Sequence, residues 1–181
     1  MLRLIKAWRS DSGAAALEFA ITAPLLVLMF AGFMEFANLL YQQQQLEKSV
    51  RDAARYLSYY SSATWTNSPG TICSSGNPSS YQQAAQNLIL YASPCTGSNT
   101  VVTGMTASQI TITPGSSSVT APQGTTTGSS CTMTIPTVTV TVSTPYSDVI
   151  GLLSLLGMSN FTLTTTHEER VLPNTSVESC T

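Results

Sequence analysis

Residues 14–41 read AAALEFAITAPLLVLMFAGFMEFANLLY, an apolar run whose only charges are Glu18 and Glu35. A bilayer's hydrocarbon core is about 30 Å thick and takes about 20 helical residues to cross, so this run is long enough to span one. Past Tyr41 no Gly or Pro interrupts the chain before Pro69, and residues 42–60 are rich in Gln, Leu, Glu, Lys, Arg and Ala, good helix formers. The helix is therefore expected to leave the lipid and continue into water as far as Tyr60. At 1.5 Å per residue it would be on the order of 70 Å long. The rest of the chain hangs from this element.

The 181 residues leave room for one membrane segment and one small domain. Asp, Glu, Lys and Arg make up 9% of the chain, against about 25% in ordinary soluble proteins, and residues 56–147 contain none of them. A net charge of -2 with no basic cluster beyond Arg55 excludes the electrostatic footprint of a nucleic-acid binder. Arg3, Lys6 and Arg9 precede the apolar run and four glutamines follow it. The positive-inside rule then places the N-terminus in the cytoplasm and the bulk of the chain outside, with Lys48, Arg51 and Arg55 partly offset by Glu47 and Asp52. A secretory signal peptide has a shorter apolar region followed by its small-residue cleavage site. Here the small residues, 13–16, come first.

Beyond the run, Leu46, Val50, Ala53 and Leu57 recur at steps of four, three and four, an apolar stripe at helical period that should face a domain. Glu47 with Arg51 and Lys48 with Asp52 stand four apart, as ion pairs on a solvated flank would. Tyr56, Tyr59 and Tyr60 are candidates for the core or for a partner surface. Residues 61–78 read as a loop, and 81–92 as a short helix capped by Ser79 or Ser80, with Ala84, Ala85, Leu88 and either Tyr91 or Ala92 inward. Residues 108–113 alternate as a strand that stops at Pro114 and Gly115, and 115–130, almost all Ser, Thr and Gly, read as an exposed loop. Residues 132–144 form the clearest strand. Its inward parity changes near Pro136, which predicts a bulge or edge kink there. The run SDVIGLLSLLG after Tyr146 is too short to span a bilayer and suits a helical turn closing the core, or a patch touching lipid or a partner. Residues 161–166 alternate again and can extend to 172. Together these elements predict an α+β fold, a long helix laid on a small antiparallel sheet.

Cys73, Cys95, Cys131 and Cys180 all fall on the outer side, an even count that suits disulfides in an oxidising compartment. Of three connectivities, Cys73 with Cys95 and Cys131 with Cys180 are favoured. Zinc is disfavoured because no close C-x-x-C pair is present and His167 is the sole histidine. No cofactor or metal site is expected. His167 beside Glu168 and Glu169 reads as a surface strand residue rather than a general base, so no enzyme is expected. The sequons at Asn160 and Asn174 matter only in a glycosylating pathway.

Two residues inside the span need explanation. A carboxylate near the centre of a membrane helix costs about 2.5 to 3.5 kcal/mol on insertion scales, less near an interface. Glu18 must therefore find a partner or snorkel to water. Pro24 removes a backbone hydrogen bond and predicts a kink or a locally melted turn. Glu35 either marks the lipid boundary or contacts a partner helix.

Gly13 followed by Ala14, Ala15, Ala16, Leu17, Glu18 and Phe19 resembles a class III signal, cut by a prepilin peptidase on the cytoplasmic side of the apolar run. The wider string GAAALEFAITAPLLVLMFAGFMEFANLLYQQQQLEKSVRDAARY resembles the TadE-like family of minor pilins and pseudopilins from tight-adherence (Tad/Flp) pilus systems. Pro24, the Glu35-Phe36 pair and the Ala-Arg-Tyr at 54–56 fit that pattern, and a weaker likeness recurs at 138–145 and 161–166. The resemblance implies cleavage between Gly13 and Ala14, and assembly roles for Glu18, Phe19 and Glu35. Glu18 would pair with the freed amine of Ala14 on a neighbouring subunit. It implies a pilin-like plan with residues 1–13 as leader, 14–41 as transmembrane helix, 42–60 as its extension and 61–181 as an extracytoplasmic α+β domain. The implied partners are the prepilin peptidase, other pilin or pseudopilin subunits, the assembly platform and the cytoplasmic membrane. The rival expectation is an uncleaved single-pass anchor that presents a Thr/Ser-rich binding domain.

Overall fold

A computed structural model of the chain describes residues 4–122, 130–149, 151, 154, 157 and 161–172; at 4–12, 119–122 and 130–133 it describes the backbone. Its first element, α1, is a single helix over Leu4–Ser58. It starts before the apolar run and stops two residues short of Tyr60, whose N–H donates to the Leu57 carbonyl at 3.0 Å. Pro24 does not melt it. The helix is continuous there, and the Thr22 hydroxyl donates to the carbonyls of Glu18 (3.0 Å) and Phe19 (3.3 Å) in the preceding turn. Such bonding back to the previous turn is a familiar role for Thr in helices.

The chain divides into two compact units: Met1–Leu40 with Asp148–Ser159, and Tyr41–Ser147 with Asn160–Thr181. The second unit holds the sheet and the core. Its three strands, β1 (Ile110–Pro122), β2 (Ser130–Pro145) and β3 (Thr162–Arg170), pair antiparallel in the order β1-β2-β3. Leu46, Val50, Ala53 and Leu57 of α1 are fully buried, as are Val138, Val140 and Val142 of β2. The helix is thus packed on the sheet through the expected stripe. Burying each of these Leu and Val side chains contributes about 1.5–3 kcal/mol.

Three sequence expectations need correction. First, β1 does not stop at Pro114 but runs on to Pro122, so most of the supposed 115–130 loop is a two-stranded ribbon in register from Gly115↔Thr137 to Pro122↔Ser130. An edge strand tolerates Pro114, because an outward N–H there would lack a ladder partner in any case. Gly115 lies close against β2, where an added Cβ would stand 2.7 Å from the Thr137 hydroxyl oxygen. Second, no bulge forms at Pro136, since the β1–β2 register is unbroken through Ser116↔Pro136. Because strand residues alternate between faces, Ile135 lies on the face opposite Val138. The parity change marks where the third strand ends: β3 pairs no further along β2 than Thr137, and the Val171 N–H donates to the Pro136 carbonyl at 2.9 Å.

Third, the short helix α2 (Tyr81–Tyr91) buries Ile89 and Leu90 along with Ala84 and Ala85, while Leu88 is half-buried. Ser80 is its N-cap and accepts the Gln83 N–H at 3.0 Å, and Ala92 ends it in the left-handed conformation at φ 53°. Asn87, buried on this helix, donates its amide to the Pro94 carbonyl at 3.0 Å. The loop before α2 is held by Asn77, whose Oδ1 accepts from the N–H groups of Ile72 (2.9 Å) and Cys73 (2.8 Å). Beside it, Tyr60 and Tyr81 stack with ring centroids 4.0 Å apart, and Tyr56 joins them at 5.6 Å from Tyr60. Tyr56 and Tyr60 are therefore half-buried packing residues, whereas Tyr59 is exposed.

Candidate functional site

The residues that the sequence singles out for processing and assembly sit on one stretch of α1. Gly13 and Ala14 are exposed within the helix, and apart from its chain neighbours and the helix's own backbone nothing described lies within 4 Å of where a Gly13 side chain would begin. A glycine inside a helix weakens it by about 0.5–1 kcal/mol relative to alanine. One turn further on, Glu18 is exposed, and Phe19 beside it is 70% exposed. Among the described residues no side chain reaches the Glu18 carboxylate. Its i−4 neighbour is Ala14.

The same stretch is apolar on every side. Leu17, Ile21, Leu25, Leu28, Phe30 and Phe33 all stand largely open, and Met29, Gly32, Phe33 and Phe36 line a shallow apolar hollow. A helix apolar all round is a helix that something else must cover. It is the one helix among the described residues long and apolar enough to cross a membrane.

Glu35 behaves differently. It is 3% exposed, and its carboxylate accepts the N–H of Val149 at 3.2 Å. Sequence reasoning assigned it to a lipid boundary or to a partner helix. Within this chain it holds the segment that follows β2. That pairing was missed because Glu35 and Val149 are 114 positions apart and a main-chain donor leaves no mark in a side-chain pattern. Asp148 was missed as well: its carboxylate accepts the N–H groups of Gly151 (2.7 Å) and Ser154 (3.2 Å). The signal available was an Asp three residues before a Gly, a common turn arrangement.

Cys73 and Cys95 form the expected disulfide, with Cα atoms 5.9 Å apart. The Cys131 side chain and Cys180, and with them the second expected disulfide, lie outside the described residues, as do the sequons at Asn160 and Asn174. His167 is half-exposed on β3, and its Nε2 stands 3.3 Å from a Glu169 carboxylate oxygen. It borders a polar groove with Gln43, Glu47, Arg51 and Thr165. Among the described residues neither expected helix ion pair closes. Glu47 instead accepts from the Gln43 amide at 3.2 Å, a similar distance to that of the second bond Gln43 donates, to the Thr165 hydroxyl.

Apolar surface, a carboxylate without a side-chain partner among the described residues one turn from a small-residue junction, and a buried stripe at the far end thus follow one another along a single helix. Residues 13–55 match the TadE-like protein family model. The match covers about a quarter of the chain and takes in Gly13, Ala14, Glu18, Pro24 and Glu35 together with Leu46, Val50 and Ala53. The TadE-like segment therefore joins the exposed and buried parts of α1, and it ends before the disulfide and the three strands. No curated protein and no solved structure matches the chain.

Proposed function

We propose that this protein is a minor pilin or pseudopilin that takes part in assembling a Tad (Flp) pilus for surface adherence. The observation that carries the reading is the TadE-like segment at residues 13–55, in which Glu18 is exposed without a described side-chain partner on a helix apolar all round. The N-terminus lies in the cytoplasm, where Arg3, Lys6 and Arg9 hold it, and the sheet domain lies outside the cytoplasmic membrane. A prepilin peptidase hydrolyses the Gly13–Ala14 amide and frees the amine of Ala14 as an ammonium. Glu18 of one copy and that ammonium of the next attract strongly in a medium of low dielectric, and the pairing removes the cost of carrying either charge alone in lipid. Exposed side chains such as Phe19, and the hollow at Gly32, give neighbouring helices surface to pack on. The chain acts as a structural subunit or platform factor rather than an enzyme, and it needs no cofactor.

A specific feature favours a second reading, the uncleaved anchor. The solvent face of the sheet carries hydroxyls paired across strands, Thr141 with Thr166 at 3.1 Å and Ser143 with Thr164 at 3.3 Å, a surface suited to binding a polar ligand. Processing separates the two. The N-terminal residue and mass of the protein are measured in its native membrane, with and without the cognate prepilin peptidase. A chain that begins at Ala14 only when the peptidase is present supports the pilin reading. An intact leader under both conditions leaves the anchor.

A further inference from the structure

The sheet has two outer edges, and they are not alike. At the two ends of the β2–β3 pairing the Tyr146 N–H donates to the Phe161 carbonyl (2.8 Å) and the Val171 N–H to the Pro136 carbonyl (2.9 Å). Opposed residues of an antiparallel pair alternate between bonded and non-bonded, so the odd-numbered residues of β3 spend their N–H and C=O groups on β2. Those of Thr162, Thr164, Thr166, Glu168 and Arg170 point away from the sheet. The same alternation turns Ile110, Ile112, Pro114, Ser116 and Ser118 of β1 outward. Pro114 has no N–H to offer, which interrupts that edge as edge prolines commonly do. β3 contains no proline, and among the described residues no strand pairs with its outer side.

Beside the open edge, within the sheet-bearing unit, lies a groove of about 260 Å³ lined by Gln43, Glu47 and Arg51 of α1 and by residues 164–167 of β3. Consecutive strand residues alternate between faces, so a groove that touches all four follows the strand's edge. Thr164 and Thr166 bond Ser143 and Thr141 on the solvent face, which leaves Thr165, His167 and Glu169 on the helix side. Helix and strand run the same way: the Gln43 amide donates to the Thr165 hydroxyl at 3.2 Å, and further along both elements the Leu172 N–H donates to the Ser58 carbonyl at 2.7 Å. From one contact to the other, helix and extended chain each span about 23 Å. Glu47 therefore comes before Arg51 in the direction of β3. Neither has an ion-pair partner among the described residues. They stand one helical turn apart, about 6 Å, close to the spacing of alternate residues on a strand, about 6.7 Å.

We propose that β3 takes up an extended segment of an unlike polypeptide as a fourth, antiparallel strand, one that carries an acidic and then a basic side chain two residues apart. The outward N–H and C=O groups of β3 supply the ladder, antiparallel pairing being the more stable per residue. On the groove side the acid meets Arg51 and the base meets Glu47. Strand addition of this kind draws affinity from main-chain bonds and specificity from alternate side chains. A second copy of this chain does not fit. Its β1 has no charged residue and lacks a donor at Pro114, and its β3, added antiparallel, brings His167 to the Arg51 end and Glu169 to the Glu47 end. Like charges set against each other destabilise such a pairing. The proposal is independent of cleavage and of pilus assembly.

The test uses the full chain, isotope-labelled in detergent micelles, and two acetylated and amidated peptides, TTETKTT and TTKTETT. Residue-resolved hydrogen exchange is read at Thr164, Thr166 and Glu168, whose amides point outward, and at Thr165 and His167, whose amides face β2. The expected result is fast exchange at the outer three in the free protein and protection of all three on adding TTETKTT. TTKTETT should bind about tenfold more weakly, since two favourable charge pairs become two unfavourable ones. Glu47→Arg combined with Arg51→Glu should reverse the order of the two peptides. Thr166→Pro removes an outward N–H and no bond to β2, so it should abolish the protection by TTETKTT while leaving the denaturant midpoint of the sheet-bearing unit in place. Should T166P lower that midpoint, the charge exchange alone decides. Outer amides already protected without peptide overturn the proposal: protection independent of protein concentration means that the chain covers its own edge, and protection that grows with concentration means that a second copy does. Open amides that neither peptide protects overturn it because the edge takes no strand. Equal protection by both peptides overturns it because Glu47 and Arg51 then do not select the occupant.

Discussion

Residues 13–34 and 46–57 are successive parts of one uninterrupted helix, and they meet their surroundings in opposite ways. In the first part large apolar side chains stand open, Phe19 and Met34 each at 70%. In the second, Leu46, Val50, Ala53 and Leu57 are wholly buried while the intervening Glu47, Lys48, Arg51, Asp52 and Arg55 are exposed. What differs is the width of the apolar face. A narrow stripe can be satisfied by the chain's own sheet, whereas apolar residues on every side demand lipid or other subunits. The two carboxylates repeat the contrast: Glu35 is spoken for within the chain, and Glu18, among the described residues, is not.

The largest effect that can break this comparison belongs to Glu18. Under the proposed function, Glu18→Gln abolishes incorporation of the protein into pili while leaving its level, its disulfide and the thermal unfolding of the sheet-bearing unit unchanged. Immunoblotting of sheared pili against membranes, together with circular dichroism of the detergent-solubilised protein, checks both halves. A variant that loses its folded domain as well would put Glu18 on the side of Glu35. Next comes the buried stripe. Leu57→Ala should destabilise the sheet-bearing unit by about 2–5 kcal/mol, since it deletes a fully buried side chain and leaves a cavity. Leu28→Ala, in the exposed part, should leave urea unfolding of that unit where it was.

The disulfide ranks third. Cys73 and Cys95 enclose a separation of 22 residues, and replacing both with Ser should cost about 3 kcal/mol through the freedom returned to the unfolded chain. Loss is expected in the sheet-bearing unit alone, read as a lower denaturant midpoint followed by Trp65 fluorescence.

The three elements differ in how much of them the sequence revealed. The helix and its stripe were legible because period and burial coincide at Leu46, Val50, Ala53 and Leu57. The Cys73–Cys95 link was favoured because it would tie the loop at 61–78 to the short helix after it, and it closes. The β1–β2 ribbon was not legible, because Ser116, Ser117 and Ser118 fit either face of a strand and so carry no alternation to read. The β2 parity change was visible but misread: a bulge and the end of a neighbouring strand produce the same break in pattern, and only the pairing of Thr137 with Arg170 tells them apart. At the candidate site Glu18 was legible as an isolated charge in an apolar run. The partner of Glu35 was hidden because a backbone N–H has no residue type.

That hidden contact yields the smallest predicted effect. Glu35→Ala removes the acceptor of the Val149 N–H, and an N–H left buried without a partner costs about 1–3 kcal/mol. Val149 is exposed enough for water or a lipid oxygen to replace part of the bond, so the loss should fall near the lower end and stay local. Hydrogen exchange in micelles should show faster exchange at Val149, with the amides of β2 unaffected because their ladder to β1 and β3 does not include Glu35. Glu35→Gln keeps a side-chain oxygen in place and should restore most of the protection. If E35A instead accelerated exchange across β2 and β3, the carboxylate would be supporting the sheet as well as the connection, and the contrast with Glu18 would be between a structural core residue and a free one rather than between two ends of one span.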